Sequence, residues 1–301
     1  IVWKSEDLVD MSSTEGVVYA ENGDLLIGNF HSVLRMDVSD GSTVWQTQRY
    51  SPTSGGSEVA RHGNHLYGWS ASASGPKISV FDTEDGNLLY ESRPIGGGII
   101  QQIGPLVGPD GTVFAPRSAN NPITDTLVAF LDNGTALKEQ WKHAMAYIPF
   151  GTHGVGPDGS FYMYSRDSTI LRIKDDGRNN TASKKILLNT KTYQETGVGG
   201  FRESIEKKNA DSVRVSYFRT KDVVPLHTSI FMFDPNAVVN SPSMAIDGEG
   251  NVFVANETRI FAFDKALNNL WIDEVEDVGY IALSDNGNLI VPAENDVIMV
   301  Y

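Results

Sequence analysis

One short pattern recurs along the whole chain and constrains its fold more than any other feature. It is an alternating apolar strand that ends in aspartate, and it is repeated at residues 33–37, 78–82, 128–132, 171–175, 230–234, 260–264 and 297–301, where the last copy ends in Tyr301 instead. From Asp37 to Asp264 the copies lie about 45 residues apart on average, which is the period of a four-stranded repeat unit. The chain is therefore expected to consist of seven such units.

Two further elements accompany the repeated strand. A tight turn precedes it, as at Asn22-Gly23 and Asn286-Gly287, and His62-Gly63 is its weaker counterpart in the second unit. Such dipeptides favour β-hairpins with a type I′ turn, in which both central residues have positive φ. A second glycine turn and an aromatic strand follow most copies, and the aromatic residues are Trp45, Tyr90, Trp141 and Trp271. Each aromatic side chain is expected to pack between neighbouring units.

These elements predict an all-β fold, a seven-bladed β-propeller of four-stranded antiparallel blades that spans residues 1–301 as one domain. The last copy has no outer strand after it, whereas residues 1–4 form an unassigned strand that carries Trp3. We expect this N-terminal strand to complete the last blade and close the ring. Spacing is irregular only around the fifth blade, which carries extra sequence near residues 190–210 and has its strand at 230–234.

Residues 35–45 resemble the repeat of the quinoprotein (PQQ-like) propellers, in which a strand ending in Asp continues through a glycine turn to Trp. Residues 81–90 match the same repeat with Tyr in place of Trp. The resemblance implies a PQQ-like fold. Enzymes of that family have eight blades, and many hold the cofactor against a vicinal disulfide, whereas this chain has no cysteine. The resemblance therefore implies a member without PQQ, with a WD40-like architecture that lacks the Trp-Asp dipeptide.

Composition limits the partners and the location of the protein. The net charge of −14 argues against nucleic acid and against anionic lipid surfaces. No apolar run approaches the ~20 residues of a membrane helix, so no membrane insertion is expected. The chain starts with Ile1, which is compatible with a removed signal peptide, and we expect a secreted protein at an extracellular, periplasmic or cell-surface location. Glycosylation sequons in predicted loops begin at Asn133, Asn179 and Asn256.

Candidate ligand-binding residues cluster at the predicted mouth of the central channel. The loops that rim it carry His31, Arg117, Arg166 and Glu257. When the inner strands are aligned on their glycine turns, Glu58 and His153 are the polar exceptions in two largely apolar columns. A carboxylate and an imidazole near the axis can bind a cation or exchange protons, and Gln102 and Tyr280 are expected to lie nearby and complete a polar cluster.

No motif for catalysis is present, so the leading hypothesis is a non-enzymatic binding or scaffold propeller with a protein or carbohydrate partner. The alternatives are a lactonase-like hydrolase or a lyase with a metal in the channel near Glu58 and His153, and a quinoprotein dehydrogenase. No cofactor is expected. Calcium is the one ion for which oxygen ligands are available, at Asp125, Asp175 and Asp176, but their spacing does not converge on one site.

Overall fold

The computed structural model describes residues 3, 16–29, 31–49, 58–72, 74–95, 98–99, 104–118, 126–144, 151–165, 169–175, 180–188, 193–195, 243–256, 258–275, 278–293 and 297–301. They form six antiparallel sheets in which each strand pairs with the next strand of its sheet along the chain, except that β9 (Gly98–Ile99) pairs with β11 (Thr112–Ser118). We number the sheets 1 to 6 in chain order. The chain consists of two compact units: Ile1–Met145 contains sheets 1 to 3, and Ala146–Tyr301 contains sheets 4 to 6.

The strands of the first unit follow one another in chain order. Sheet 1 contains β1 (Gly16–Tyr19), β2 (Leu25–Gly28), β3 (Ser32–Met36) and β4 (Thr43–Gln48). Sheet 2 contains β5 (Val59–His62), β6 (His65–Ser72), β7 (Gly75–Asp82) and β8 (Leu88–Glu91). Sheet 3 contains β9 (Gly98–Ile99), β10 (Leu106–Val107), β11 (Thr112–Ser118), β12 (Thr126–Asp132) and β13 (Leu137–Ala144).

The second unit repeats the arrangement. Sheet 4 contains β14 (Gly151–Val155), β15 (Phe161–Ser165), β16 (Thr169–Asp175), β17 (Asn180–Leu188) and β18 (Tyr193–Glu195). Sheet 5 contains β19 (Ser243–Ile246), β20 (Val252–Asn256), β21 (Arg259–Phe263) and β22 (Asn269–Glu274). Sheet 6 contains β23 (Ala282–Leu283), β24 (Leu289–Ala293) and β25 (Val297–Val300). The predicted all-β fold is confirmed. Sheets 1, 2 and 5 are four-stranded as predicted, whereas sheets 3 and 4 contain five described strands and sheet 6 contains three.

The turn before each second strand differs in detail from the predicted type I′ turn. In sheet 1 Tyr19 pairs with Leu25, and the amide of Gly23 donates to the carbonyl of Ala20 over 3.0 Å. Gly23 has a φ of +91°, whereas among the described residues other than glycine only Leu267 has a positive φ. The loop is therefore a longer turn that ends in a left-handed glycine, because one residue with positive φ is enough to return the chain.

Sheet 2 has a shorter turn, and this changes its alignment with the other sheets. His62 pairs with His65 across the two-residue turn formed by Gly63 and Asn64. The innermost pair at the turn is Ala20 with Asp24 in sheet 1 and His62 with His65 in sheet 2. Two residues outward from these pairs, Ala60 occupies the position that Val18 has in sheet 1. Glu58 lies before β5, so its assignment to the same column as Val18 is wrong.

Apolar side chains fill the space between consecutive sheets. In the first unit, one cluster joins sheet 1 to sheet 2 and includes Leu26, Val33, Leu66 and Phe81. A larger cluster joins sheet 2 to sheet 3 and includes Tyr67, Trp69, Val80, Val113 and Phe130. Since each sheet has an apolar face on both sides, stacking successive sheets buries a continuous core, which is how repeated blades stabilise one another.

Sheets 4 and 5 are direct neighbours in the second unit. The hydroxyl of Tyr162 in sheet 4 donates to the carbonyl of Lys265 in sheet 5 over 2.6 Å, and a Cβ on Gly154 would lie 2.8 Å from Ile246 Cδ1. Tyr164 and Phe261 belong to the apolar cluster that joins the two sheets. The predicted fifth blade, with its strand at 230–234, lies outside the described residues.

The aromatic residue of an outer strand packs on the glycine turn of the following sheet, as predicted. Trp45 lies over Gly86, and its indole N–H donates to the carbonyl of Thr83 over 3.1 Å. Trp3 makes the same contact with Gly41 of sheet 1, and its indole N–H donates to the carbonyl of Val38 over 2.7 Å. Residues 1, 2 and 4 lie outside the described residues, so the pairing of the N-terminal strand with β25 stays a prediction.

Candidate functional site

Three polar side chains of sheet 2 meet at one carboxylate of sheet 3. The Asp132 cluster consists of His65 and Tyr67 on β6, Tyr90 on β8 and Asp132 at the end of β12. Asp132 is the residue that ends the repeated apolar strand, and it follows Phe130 of the core between the two sheets. Its side chain is only 6% exposed, so the carboxylate lies against the neighbouring sheet rather than in solvent.

Four donors surround the two carboxylate oxygens. The hydroxyl of Tyr67 donates to Oδ2 over 2.7 Å, and Nδ1 of His65 lies 2.7 Å from the same oxygen. The hydroxyl of Tyr90 donates to Oδ1 over 2.6 Å, and the amide of Gly134 donates to Oδ1 over 2.8 Å. This number of bonds satisfies a buried carboxylate, which otherwise carries a large desolvation cost.

The surroundings change the acidities of these groups in opposite directions. Burial raises the pKa of Asp132, but hydrogen bonds from Tyr90, Tyr67, Gly134 and His65 outweigh it and hold the pKa below its ordinary value. Burial and the negative charge of Asp132 raise the pKa of both Tyr67 and Tyr90. At neutral pH the cluster thus contains one carboxylate that accepts hydrogen bonds from two neutral phenols.

The imidazole of His65 connects the cluster to solvent. Its ring stands edge-on to Tyr67 and to Tyr90, with ring centroids 6.2 and 5.9 Å away. The His65 side chain is 25% exposed, whereas Tyr67 is buried.

The sequence analysis does not predict this cluster. The available signals are Tyr90 at the Trp position of the repeat and Asp132 at the end of the repeated strand.

A second buried polar group lies between sheets 1 and 2. The guanidinium of Arg49 donates to the carbonyl of Asn29 from Nε and Nη2, over 3.0 and 2.8 Å, and to the carbonyl of Trp69 from Nη1 over 3.3 Å. Burial lowers the pKa of Arg49 to about 10. Gly68 provides the room for it, since a Cβ there would lie 2.7 Å from Nη1. Arg49 therefore joins the β2–β3 loop to sheet 2.

Glu58 and His31 lie near the ends of strands in the first unit. The amide of Gly104, just before β10, donates to the carboxylate of Glu58, just before β5. Glu58 thus connects the inner edges of sheets 2 and 3. His31 is exposed in the β2–β3 loop, where its amide donates to Asn29 Oδ1 over 2.9 Å. The backbone of Arg117 lies in β11.

His153 and Tyr280 belong to the second unit, whereas Glu58 belongs to the first. His153 lies on β14 with its ring 6.4 Å from that of Phe161, and Tyr280 is 71% exposed just before β23. Gln102, Arg166 and Glu257 lie outside the described residues. The described part of the chain contains no group of three or more His, Asp or Glu side chains with a metal-binding arrangement.

The three sequons differ in their outcome. Asn133 lies in the exposed turn between β12 and β13, where its Oδ1 accepts the amides of Thr135 and Ala136. Asn256 is the last residue of β20 rather than a loop residue, so that part of the prediction is wrong. Asn179 lies outside the described residues.

Within the described residues, no helix has the length and hydropathy needed to cross a membrane.

Comparisons with known proteins identify the fold. No family model matches the sequence, and no curated protein matches it. Similar solved structures include the Dos1 propeller, with 8% identity, a TM-score of 0.60, and coverage of 96% of this chain and 67% of that chain. A Lactobacillus plantarum protein has 12% identity, a TM-score of 0.57, and coverage of 96% and 80%. Kluyvelomyces marxianus Hsv2 has 9% identity, a TM-score of 0.53, and coverage of 96% and 72%.

At these identities the likeness shows the fold alone, and that fold is a β-propeller. The more specific resemblance to the PQQ-like repeat stays a prediction. The number of seven blades also stays a prediction, because the described residues account for six sheets.

Proposed function

We propose that this chain is a non-enzymatic binding propeller that recognises a protein partner through the outer strands of its blades. The observation that supports this proposal is the pattern of exposure on those strands. In β22 the side chains alternate, so that Trp271 faces inward while Leu270 and Ile272 are 52% and 38% exposed. In sheet 1, Val44 beside Trp45 is 49% exposed. Exposed apolar side chains that recur at one structural position favour protein contacts.

The polar clusters support a scaffold rather than a reaction centre. The Asp132 cluster and Arg49 bind across neighbouring sheets, so these groups hold the blades in register. The acidic chain, with a net charge of −14, favours a partner with a basic surface, because complementary charge increases the rate of association. A carbohydrate partner is the alternative ligand class within this proposal, and a location outside the cytoplasm is part of it.

Affinity capture with matched variants tests the proposal. The tagged protein retains its partner from an extract of the source cells, and quantitative mass spectrometry measures the amount. Leu270→Asp together with Ile272→Asp should weaken retention about ten-fold or more, which corresponds to about 1.4 kcal/mol. Asn64→Asp together with Asn286→Asp, at exposed polar positions in two turns outside the outer strands, is the control for added charge.

Two outcomes would contradict the proposal. One is that the apolar and polar variants retain every captured protein equally well. The other is turnover on a panel of lactone and glycoside substrates that a single substitution abolishes.

A further inference from the structure

The Asp132 cluster brings together four side chains that metal ions use as ligands. They provide two phenol oxygens, a carboxylate and an imidazole nitrogen, and three different strands supply them. Half of the set is tyrosine, and only His65 and Asp132 belong to the residue types that most often bind metal ions. Tyrosinate is an established ligand of iron in proteins.

The spacing of the donor atoms suits a small, six-coordinate ion. An octahedral ion with ligands at about 2.0–2.1 Å places adjacent ligand atoms about 2.9 Å apart. In the cluster, Asp132 Oδ2 lies 2.7 Å from Tyr67 Oη and 2.7 Å from His65 Nδ1. Tyr90 Oη lies 2.6 Å from Asp132 Oδ1 and 3.4 Å from His65 Nδ1. Asp132 Oδ2 is thus spaced from Tyr67 Oη and from His65 Nδ1 as adjacent ligands are. Tyr90 Oη is bonded to Oδ1 instead, so it has to shift toward the ion when its proton leaves.

The total charge of the four ligands favours a trivalent ion. Two phenolates and one carboxylate carry three negative charges, and a neutral imidazole adds none. A trivalent cation makes the buried set neutral, whereas a divalent cation leaves one uncompensated charge between the sheets, which is costly. Hard oxygen donors together with one imidazole favour iron over softer metals that prefer thiolates.

We propose that His65, Tyr67, Tyr90 and Asp132 bind one trivalent iron ion between sheets 2 and 3. Asp132 Oδ2 and the two phenolates supply the oxygen ligands, and His65 Nδ1 supplies the nitrogen. The amide of Gly134 stays bonded to Asp132 Oδ1 and fixes the carboxylate from outside the ligand shell. The ion enters at His65, the exposed edge of the cluster.

Binding must release two protons, one from each phenol, because Asp132 is already ionised. The balanced step combines ferric ion, two neutral tyrosines, one carboxylate and one imidazole, and it yields the complex and two protons. Affinity therefore increases with pH, as for other sites whose ligands must lose protons. The site is independent of the proposed partner surface on the outer strands.

Titration of the full chain with ferric nitrilotriacetate, after treatment with a chelator, tests this proposal. We expect one ion per chain, a visible charge-transfer band from phenolate to iron, and the loss of two phenol protons per ion, of which the released nitrilotriacetate takes up a part. Asp132→Asn should weaken binding at least about ten-fold. Tyr67→Phe and Tyr90→Phe should each remove about half of the band intensity, since each removes one of two phenolates.

Tyr301→Phe is the matched control, because Tyr301 donates to Asp273 as a single tyrosine–aspartate pair. It should leave the stoichiometry and the band unchanged. Circular dichroism establishes that each variant is folded, and a tyrosine difference spectrum of the unmodified chain with Ga³⁺ counts ionised phenols without any substitution. Absence of a band, fewer than two phenolates per ion, or a band that Tyr90→Phe leaves intact would overturn the proposal.

Discussion

Trp45 lies so closely over Gly86 that a Cβ at position 86 would come within 2.5 Å of Trp45 Cε3. Gly86 also has a φ of +73°, so two independent requirements exclude a side chain there. The contact joins the side chain of Trp45 in sheet 1 to the backbone of the Gly86 turn in sheet 2, and it adds to the apolar cluster between the two sheets. It also explains why the repeat contains both a glycine and, farther along the chain, an aromatic residue.

Gly86→Ala should therefore destabilise the protein by more than the cost of its backbone conformation. We expect a loss of about 3 kcal/mol, of which about 1–2 kcal/mol comes from the left-handed φ and the rest from displacement of the indole. Gly159→Ala is the control, since Gly159 has a φ of +76° with nothing within 4 Å of the added Cβ. Urea unfolding measures both. Equal losses would show that the Trp45 contact is not a constraint.

Arg49→Met should cost about 3 kcal/mol in the free energy of unfolding. The substitution keeps the volume but removes the guanidinium bonds to the carbonyls of Asn29 and Trp69, and a hydrogen bond to a charged group contributes about 1.5–3 kcal/mol. Arg93→Met is the control, because the Arg93 side chain is 59% exposed and its ion pair with Glu139 is at the surface. The control should cost under about 1 kcal/mol. A similar loss in both variants would contradict the assigned role of Arg49.

The Asp132 cluster predicts a specific loss of stability in acid. Because the pKa of Asp132 is lowered on folding, its contribution is present above the unfolded pKa of about 3.9 and is lost as the pH falls through the lower folded value. Asp132→Asn should cost about 2–3 kcal/mol at neutral pH and progressively less below about pH 4. Urea unfolding across pH 2–7 measures this, with the exposed Asp285→Asn as control. A difference independent of pH would be incompatible with the bonding described.

Removal of residues 1–4 tests the contact of Trp3 with sheet 1. Trp3 packs against Ile27, Leu34 and Met36 and donates to Val38, so its loss should cost about 2 kcal/mol. Thermal unfolding should show this decrease for Trp3→Ala and a larger one for the truncated chain, which also loses the predicted pairing of residues 1–4 with β25. Tyr19→Ala, at an aromatic residue that is 66% exposed, is the control. Equal decreases for truncation and Trp3→Ala would contradict the predicted pairing, and no decrease for Trp3→Ala would contradict the role of Trp3.

The elements of the blades could be predicted from the sequence because their signals are local. The strands around Asp37, Asp82, Asp132 and Asp264 and the aromatic outer strands occur where the repeat places them. Alignment on glycine turns failed at Glu58, because the turn of sheet 2 is shorter than that of sheet 1, and a local pattern does not reveal the length of a turn.

The candidate site was beyond the reach of sequence reasoning. Tyr67 and Asp132 are 65 residues apart, and they meet because two sheets pack with one particular register. Predicting that contact requires the position of one sheet relative to the next, which periodicity does not supply. The alignment of the inner strands predicts Glu58 and His153 near the channel, with Tyr280 beside them. The contact described for Glu58 is instead a link between two strand ends.

The direct contact between sheets 4 and 5 has an evolutionary consequence. The Tyr162 hydroxyl bonds across this contact, a Cβ on Gly154 would lie 2.8 Å from Ile246 Cδ1, and Phe261 belongs to the apolar cluster between the sheets. Selection for stability therefore acts on positions of the two sheets jointly, because a change in size on one sheet requires a compensating change on the other. Lineages that diverge from this protein are expected to substitute these contact positions in pairs.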